Sequence, residues 1–233
     1  MEELEQIIKS AIENVKKAQK LSKGKQKKFV ALDIGPTGKM LKPFGDLDFE
    51  DAINVFKTTV KIALKYGVDL VLIETMNDIY ETKAAVLAVK EVSDLPILVS
   101  NVYSKDGLTL SGTTPESAVT TLEGLSVDGI GINCSLGPKD LIPVIDKYIK
   151  ISSLPVLFKP NAGLPRVQGE ETFYDVNEED FAKDVFNCVK KGVRIVGGCC
   201  GTTPKYIFEL NNYIFHLFFL YYIFLFLSYL LTN

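Results

Sequence analysis

Six short apolar runs, each continuous and each followed by a helical pattern, constrain this chain more than any other feature. They are Phe29–Asp33, Asp69–Thr75, Pro96–Asn101, Gly129–Cys134, Pro155–Pro160 and Val193–Gly197. Helical patterns follow over Leu47–Tyr66, Asp78–Val92, Thr114–Leu125, Lys139–Ile149 and Glu178–Lys191, and a last helix opens at Thr203–Leu210. Ahead of them, Met1–Lys20 repeats Leu4, Ile7, Ile8, Ala11, Ile12, Val15 and Ala18 at helical spacing, which predicts an amphipathic helix. A strand apolar on both faces must be covered on both. Strands joined through helices run parallel, so the pattern predicts a parallel sheet under helices.

Two architectures satisfy that rule, the doubly wound sheet and the eight-stranded barrel. Polar or special residues close every run: Asp33, Glu74, Asn101, Cys134, Asn161 and Cys199. A barrel with its site on the top face predicts such crowding at all strand ends. A doubly wound sheet concentrates function at one switch point, and no Gly-x-Gly-x-x-Gly stretch follows any run. The expected fold is therefore an α/β (β/α)8 barrel. With six of eight strands present and a helix in front, it is expected to be N-terminally incomplete, lacking strands 1 and 2. Its expected extent is residues 1–210.

Residues 211–233 differ in kind. Asn211–Asn233 has no Asp, Glu, Lys, Arg, Gly, Ala, Val or Pro, but five Phe and four Tyr. As a helix, Tyr213–Leu231 would span roughly 28 Å, close to a bilayer core. The competing readings are a buried terminal helix and an aberrant addition from AT-rich DNA read in an arbitrary frame. The 24 Lys against two Arg fit such a source. No basic residue follows the segment, as one would at an anchor.

The remaining composition narrows function. With 26 Lys+Arg against 29 Asp+Glu, the chain lacks the basic surplus of a dedicated nucleic-acid binder. Its four cysteines are too sparse for a secreted disulfide scaffold, and the charged first twenty residues are no signal peptide. The expected location is the cytoplasm, with membrane association only through residues 213–231.

Three of the cysteines carry the chemistry. Cys134 stands in GINCSLGP, and Cys199-Cys200 stand in GGCCGTTP, both at strand ends. Successive residues of a regular strand point opposite ways, but flanking glycines let the backbone leave that rule. Three thiolates converging on the barrel mouth would suit a tetrahedral zinc site with an open fourth position. A vicinal disulfide and inert buried thiols remain as alternatives on these grounds. Cys188 reads as plain core. His216, the sole histidine, lies in the apolar tail, so a His-containing zinc site or a Ser/His/Asp triad in the barrel is excluded.

GINCSLGP, FKPNAGLP and GGCCGTTP, in this order, resemble the homocysteine S-methyltransferase domain, most like the N-terminal domain of cobalamin-dependent methionine synthase. LIETMND and SKDGLTLSGTTPES fit the same family over about Met1–Leu210. The resemblance implies a catalytic zinc on Cys134, Cys199 and Cys200, with homocysteine as methyl acceptor and methionine as product. It implies Glu74 as the catalytic-site carboxylate for the homocysteine ammonium, with Asn161 and Gly163 lining the pocket. Cobalamin and methyltetrahydrofolate would act through modules absent from this chain, partners in cis or trans. Betaine or S-methylmethionine are the alternative donors. The family's Asp-Gly-x-x-Gly-Thr stretch from its first strand has no counterpart here, so an inactive zinc-binding or membrane-anchored product is a further expectation.

Overall fold

The computed structural model describes residues 2–169 and 171–215. A helix, α1 (Glu2–Leu21), leads into β1 (Ala31–Ile34), α2 (Phe49–Tyr66), β2 (Leu70–Met76), α3 (Ile79–Lys90) and β3 (Ile97–Asn101). There follow α4 (Pro115–Gly124), β4 (Gly129–Asn133), α5 (Pro138–Ile151) and β5 (Val156–Lys159). A hairpin, β6 (Pro165–Gln168) and β7 (Glu171–Tyr174), precedes α6 (Glu178–Lys191) and β8 (Val193–Val196). A last helix, α7, occupies residues 204–215.

Six strands form one sheet in the order β1-β2-β3-β4-β5-β8, with every pairing parallel. The apolar runs of the sequence are these strands, and each lies next to its predecessor, as short right-handed crossovers require. Strands β1 and β8 are the two ends of the sheet, so closure into a ring is not seen among the described residues.

Alternate residues divide the sheet into two faces. Leu32, Ile34, Val71, Ile73, Val99, Ile130, Ile132 and Phe158 are buried under the helices. Phe56 and Val60 of α2, the alanines of α3, Tyr148 of α5 and Phe181 of α6 complete that core. The inner face carries Asp33, Leu72, Glu74, Leu98, Asn133, Leu157 and Lys159. Gly129 lets Leu98 and Ile195 meet on its floor: an added Cβ would stand 2.7 Å from Leu98 Cδ2.

Local signals explain the helix ends. Asp78, Thr114 and Asn177 accept backbone N–H groups of the first turns of α3, α4 and α6, and Pro115 opens α4. Gly67 closes α2 at φ +72°.

Two features go beyond the sequence reading. The segment 161–177, which lies between the fifth apolar run and the helical pattern at Glu178, contains the antiparallel pair β6–β7. And α7 continues past Leu210, with Tyr213 lying 5.6 Å from the Phe186 ring and Ile214 packed on the core. The start of the apolar tail is thus part of the packed chain. Its remainder, residues 216–233 with His216, lies outside the described residues. Among the described residues, no helix is long and apolar enough to cross a membrane.

Candidate metal centre

Strand β4 delivers Asn133 to the inner face, and the chain then turns sharply. Cys134 and Ser135 both adopt left-handed backbone conformations, at φ 62° and 69°. Two consecutive non-glycine residues in that region carry strain that the surroundings must hold, a pattern concentrated at functional sites. Here Cys134 N–H donates to Lys159 O at 3.0 Å, and Ser135 Oγ donates to Tyr103 O at 2.6 Å. The effect is to aim the Cys134 thiol at the end of β8.

The Cys199-Cys200 turn is held mainly by the exit of β5. Gly197 N–H donates to Phe158 O at 3.2 Å, and Cys199 N–H to Pro160 O at 2.9 Å. Cys200 N–H donates to Asn161 Oδ1 at 3.0 Å, and Ala162 N–H to Cys200 O at 2.9 Å. Gly201 sits at φ +78°, where an added Cβ would overlap the Tyr174 ring. The β6–β7 hairpin therefore closes over this turn.

The result is a cluster of three sulfurs. Cys134 Sγ lies 3.8 Å from Cys200 Sγ, Cys199 Sγ lies 4.0 Å from Cys200 Sγ, and all three fall within 4.8 Å of one another. A tetrahedral zinc with bonds of about 2.3 Å sets its thiolates about 3.8 Å apart. The cluster fits such an ion with only small adjustment. All four cysteines are unpaired thiols, which removes the vicinal disulfide reading for this structure. Cys134 and Cys199 are half-buried and Cys200 is exposed, so solvent reaches the cluster from the Cys200 side.

Within the cluster the neighbouring Cys199 thiol holds Cys134 down at about 7. The Cys134 side chain and burial push Cys199 upward, and burial raises Cys200. Cys188 has no such neighbours. It is buried in α6 and pushed up to about 11 by loss of solvent, as the plain-core reading expects.

A family model for homocysteine S-methyltransferases matches residues 1–214. The chain belongs to the homocysteine S-methyltransferase family.

The fold of this chain is shared with solved structures of the homocysteine methyltransferase MmuM from Escherichia coli. The apo form aligns with a TM-score of 0.73 at 23% identity, covering 90% of this chain and 73% of that one. The metallated form aligns with a TM-score of 0.70 at 22% identity, covering 88% and 69%. At such identities the likeness is one of fold.

The other residues singled out from the sequence fall around the cluster. Asn161 is buried, with its side-chain oxygen on the Cys200 amide. Gly163, at φ +100°, lies against Gly137, Asp175 and Val176, where a Cβ would overlap the Asp175 carboxylate. Glu74 stands on the inner face of β2 and forms an ion pair with Lys159 of β5, both side chains being less than one-fifth exposed. Asp33 of β1 lies beside them. Loss of solvent and the Glu74 carboxylate raise its carboxyl above the usual range, although solvent reaches the residue at this edge.

Three contributors around the cluster had no assigned role from sequence. Asn133 accepts Thr75 N–H at 2.9 Å and Ser100 Oγ–H at 2.7 Å, and donates to Thr75 Oγ1 at 2.8 Å. Its amide nitrogen also lies 3.8 Å from Cys199 Sγ. Lys159 and Thr75, the latter at φ 63°, are the others. The inward alternation Gly129, Gly131, Asn133 was the available signal for the first.

Proposed function

We propose that this chain activates the thiol of homocysteine for methyl transfer, giving methionine, on a zinc ion held by Cys134, Cys199 and Cys200. The observation that carries the reading is the three-sulfur cluster, open on one side, in a chain of the homocysteine S-methyltransferase family. A metallated form of the MmuM neighbour supports a metal on this fold.

Zinc bound there supplies Lewis acidity that keeps a substrate sulfur ionised near neutral pH, where a free thiol with a pKa near 8.5 is mostly protonated. The chain's own residues do the rest. The left-handed turn at Cys134 and the Asn161-held amide of Cys200 place the donor sulfurs before substrate arrives. Asn133 donates toward Cys199 Sγ, offsetting part of the charge concentrated on three thiolates. Glu74 receives the substrate ammonium from the inner wall, and the Asn161–Gly163 loop borders the pocket.

For the methyl donor, the PNAGLP and GGCCGTTP wording favours methylcobalamin, as in methionine synthase, with cobalamin and folate handled by separate modules. Family membership is equally compatible with S-methylmethionine or betaine. Unpaired thiols suit a reducing compartment, and we place the chain in the cytoplasm.

Metal analysis of the full chain tests the centre. About one zinc per chain is expected, lost in Cys134→Ala, Cys199→Ala and Cys200→Ala and kept in Cys188→Ala. Turnover of homocysteine with each of the three donors then chooses among them. Zinc binding without turnover on any donor would instead favour a metal-binding product that is not an enzyme.

A further inference from the structure

Glu74, the carboxylate assigned to the substrate ammonium, already has an ammonium on it. Lys159 reaches across the inner face from β5 to β2 and pairs with it in a site largely withdrawn from solvent. The stem of Lys159 runs past Gly197, whose missing Cβ would stand 3.2 Å from Lys159 Cγ. The backbone of Lys159 also accepts the Cys134 amide, so the cation springs from the frame of the sulfur cluster. Asp33 adds a second carboxylate beside Glu74. The inner wall thus presents two carboxylates and one ammonium, and the residue that carries the ammonium is bonded through its backbone to Cys134.

A largely buried ion pair that loses one partner leaves an uncompensated charge, which is costly. An incoming ammonium alone would have to displace Lys159 from Glu74 and leave it only Asp33, a carboxylate at the solvent-reached edge of the sheet. An incoming carboxylate alone would have to draw Lys159 away and strand Glu74. A ligand bearing both charges on one carbon can exchange partners without leaving either group unpaired. That is an α-amino acid, and a thiol on its side chain would reach the sulfur cluster.

We propose that Lys159 reads the substrate α-carboxylate: as homocysteine binds, the Lys159 ammonium moves from Glu74 to that carboxylate while Glu74 takes the α-ammonium. The inference rests on the homocysteine reading above and adds to it a residue and a rule, that the site selects an intact zwitterion. No covalent bond changes in the exchange.

Isothermal titration of the zinc-loaded full chain tests it with homocysteine, 3-aminopropanethiol, which lacks the carboxylate, and 4-mercaptobutanoate, which lacks the ammonium. The parent should bind homocysteine at least about 10-fold more tightly than either analogue. Lys159→Met should weaken homocysteine by a similar factor yet tighten 3-aminopropanethiol, because Glu74 is then free for its ammonium. Lys159→Gln should behave alike, and unchanged zinc content and circular dichroism report that both variants are folded. Tightening of homocysteine in Lys159→Met would make Lys159 a mere competitor for Glu74 and overturn the proposal, as would unchanged affinities. If the zinc-loaded parent binds none of the three thiols, the homocysteine reading itself falls, and this inference with it.

Discussion

Asn161 accepts the backbone N–H of Cys200 on its side-chain oxygen at 3.0 Å. Its own backbone N–H donates to Leu136 O at 3.0 Å, in the turn that follows Cys134. One residue, 4% exposed, therefore ties together the two loops that carry the sulfurs. Asn161→Ala removes the partner of the Cys200 amide and frees that loop. Zinc affinity should fall by about 10–100-fold, measured by competition with a chromophoric chelator. Unaltered affinity would take Asn161 out of the support of the centre.

Glu74→Gln keeps the shape of the inner wall but removes its charge. Zinc content should not change, because Glu74 touches none of the sulfurs. Homocysteine binding should weaken by about 2–4 kcal/mol, the range for truncating one side of a desolvated charge pair. Calorimetry with zinc-loaded protein gives the number directly, and equal affinity in variant and parent would assign the ammonium elsewhere.

The thiols should titrate apart in the metal-free protein. Cys134, held down at about 7 by the neighbouring Cys199 thiol, becomes a thiolate as the pH rises through that value. Its alkylation by iodoacetamide should accelerate from pH 6 to pH 8 and then level off. Cys188, buried and pushed up to about 11, should stay unmodified until the chain unfolds. Peptide mass spectrometry after timed labelling resolves the two. Equal labelling of both would contradict the burial of α6.

Gly163 occupies a backbone region that L side chains rarely adopt, with the Asp175 carboxylate where a Cβ would go. Gly163→Ala should destabilise the chain by about 1–3 kcal/mol, read from the urea midpoint. The loss should be accompanied by weaker zinc binding, since Ala162 N–H holds the Cys200 carbonyl next door.

The apolar C-terminal segment has its own test. A chain ending at residue 215 retains the packed turns of α7, including Tyr213 on Phe186. If residues 213–231 anchor the protein, the full chain should resist carbonate extraction from membranes while the shortened one does not. Identical partitioning of the two into the soluble fraction would end the anchor reading.

The strands and their order were legible because each is apolar on both faces, and only a parallel sheet under helices gives such a run somewhere to go. The three sulfurs were legible because their motifs fall at strand ends. The β6–β7 hairpin was not: Val167 is 75% exposed and Phe173 is 47% exposed, so no buried face prints an alternation into the sequence. What shapes that segment is the Gly169 turn and the seating of Tyr174 over Gly201, a contact between distant parts of the chain. The Glu74–Lys159 pair was hidden for a related reason. Each was visible beside a motif, but 85 positions separate them, and only the curvature of the sheet brings β2 and β5 face to face.

A sheet with two ends is unequally protected. Amides of β1 and β8 should exchange with deuterium sooner than those of β3 and β4, which have a hydrogen-bonded neighbour on either side. Cys134 leaves from β4 in the interior of the sheet, whereas Cys199 and Cys200 leave from the outermost strand. Joining the three sulfurs through one ion would fasten an end strand to one of the slowest. Ligation would then act as a clasp on local unfolding, and its imprint would be a selective slowing of exchange along β8.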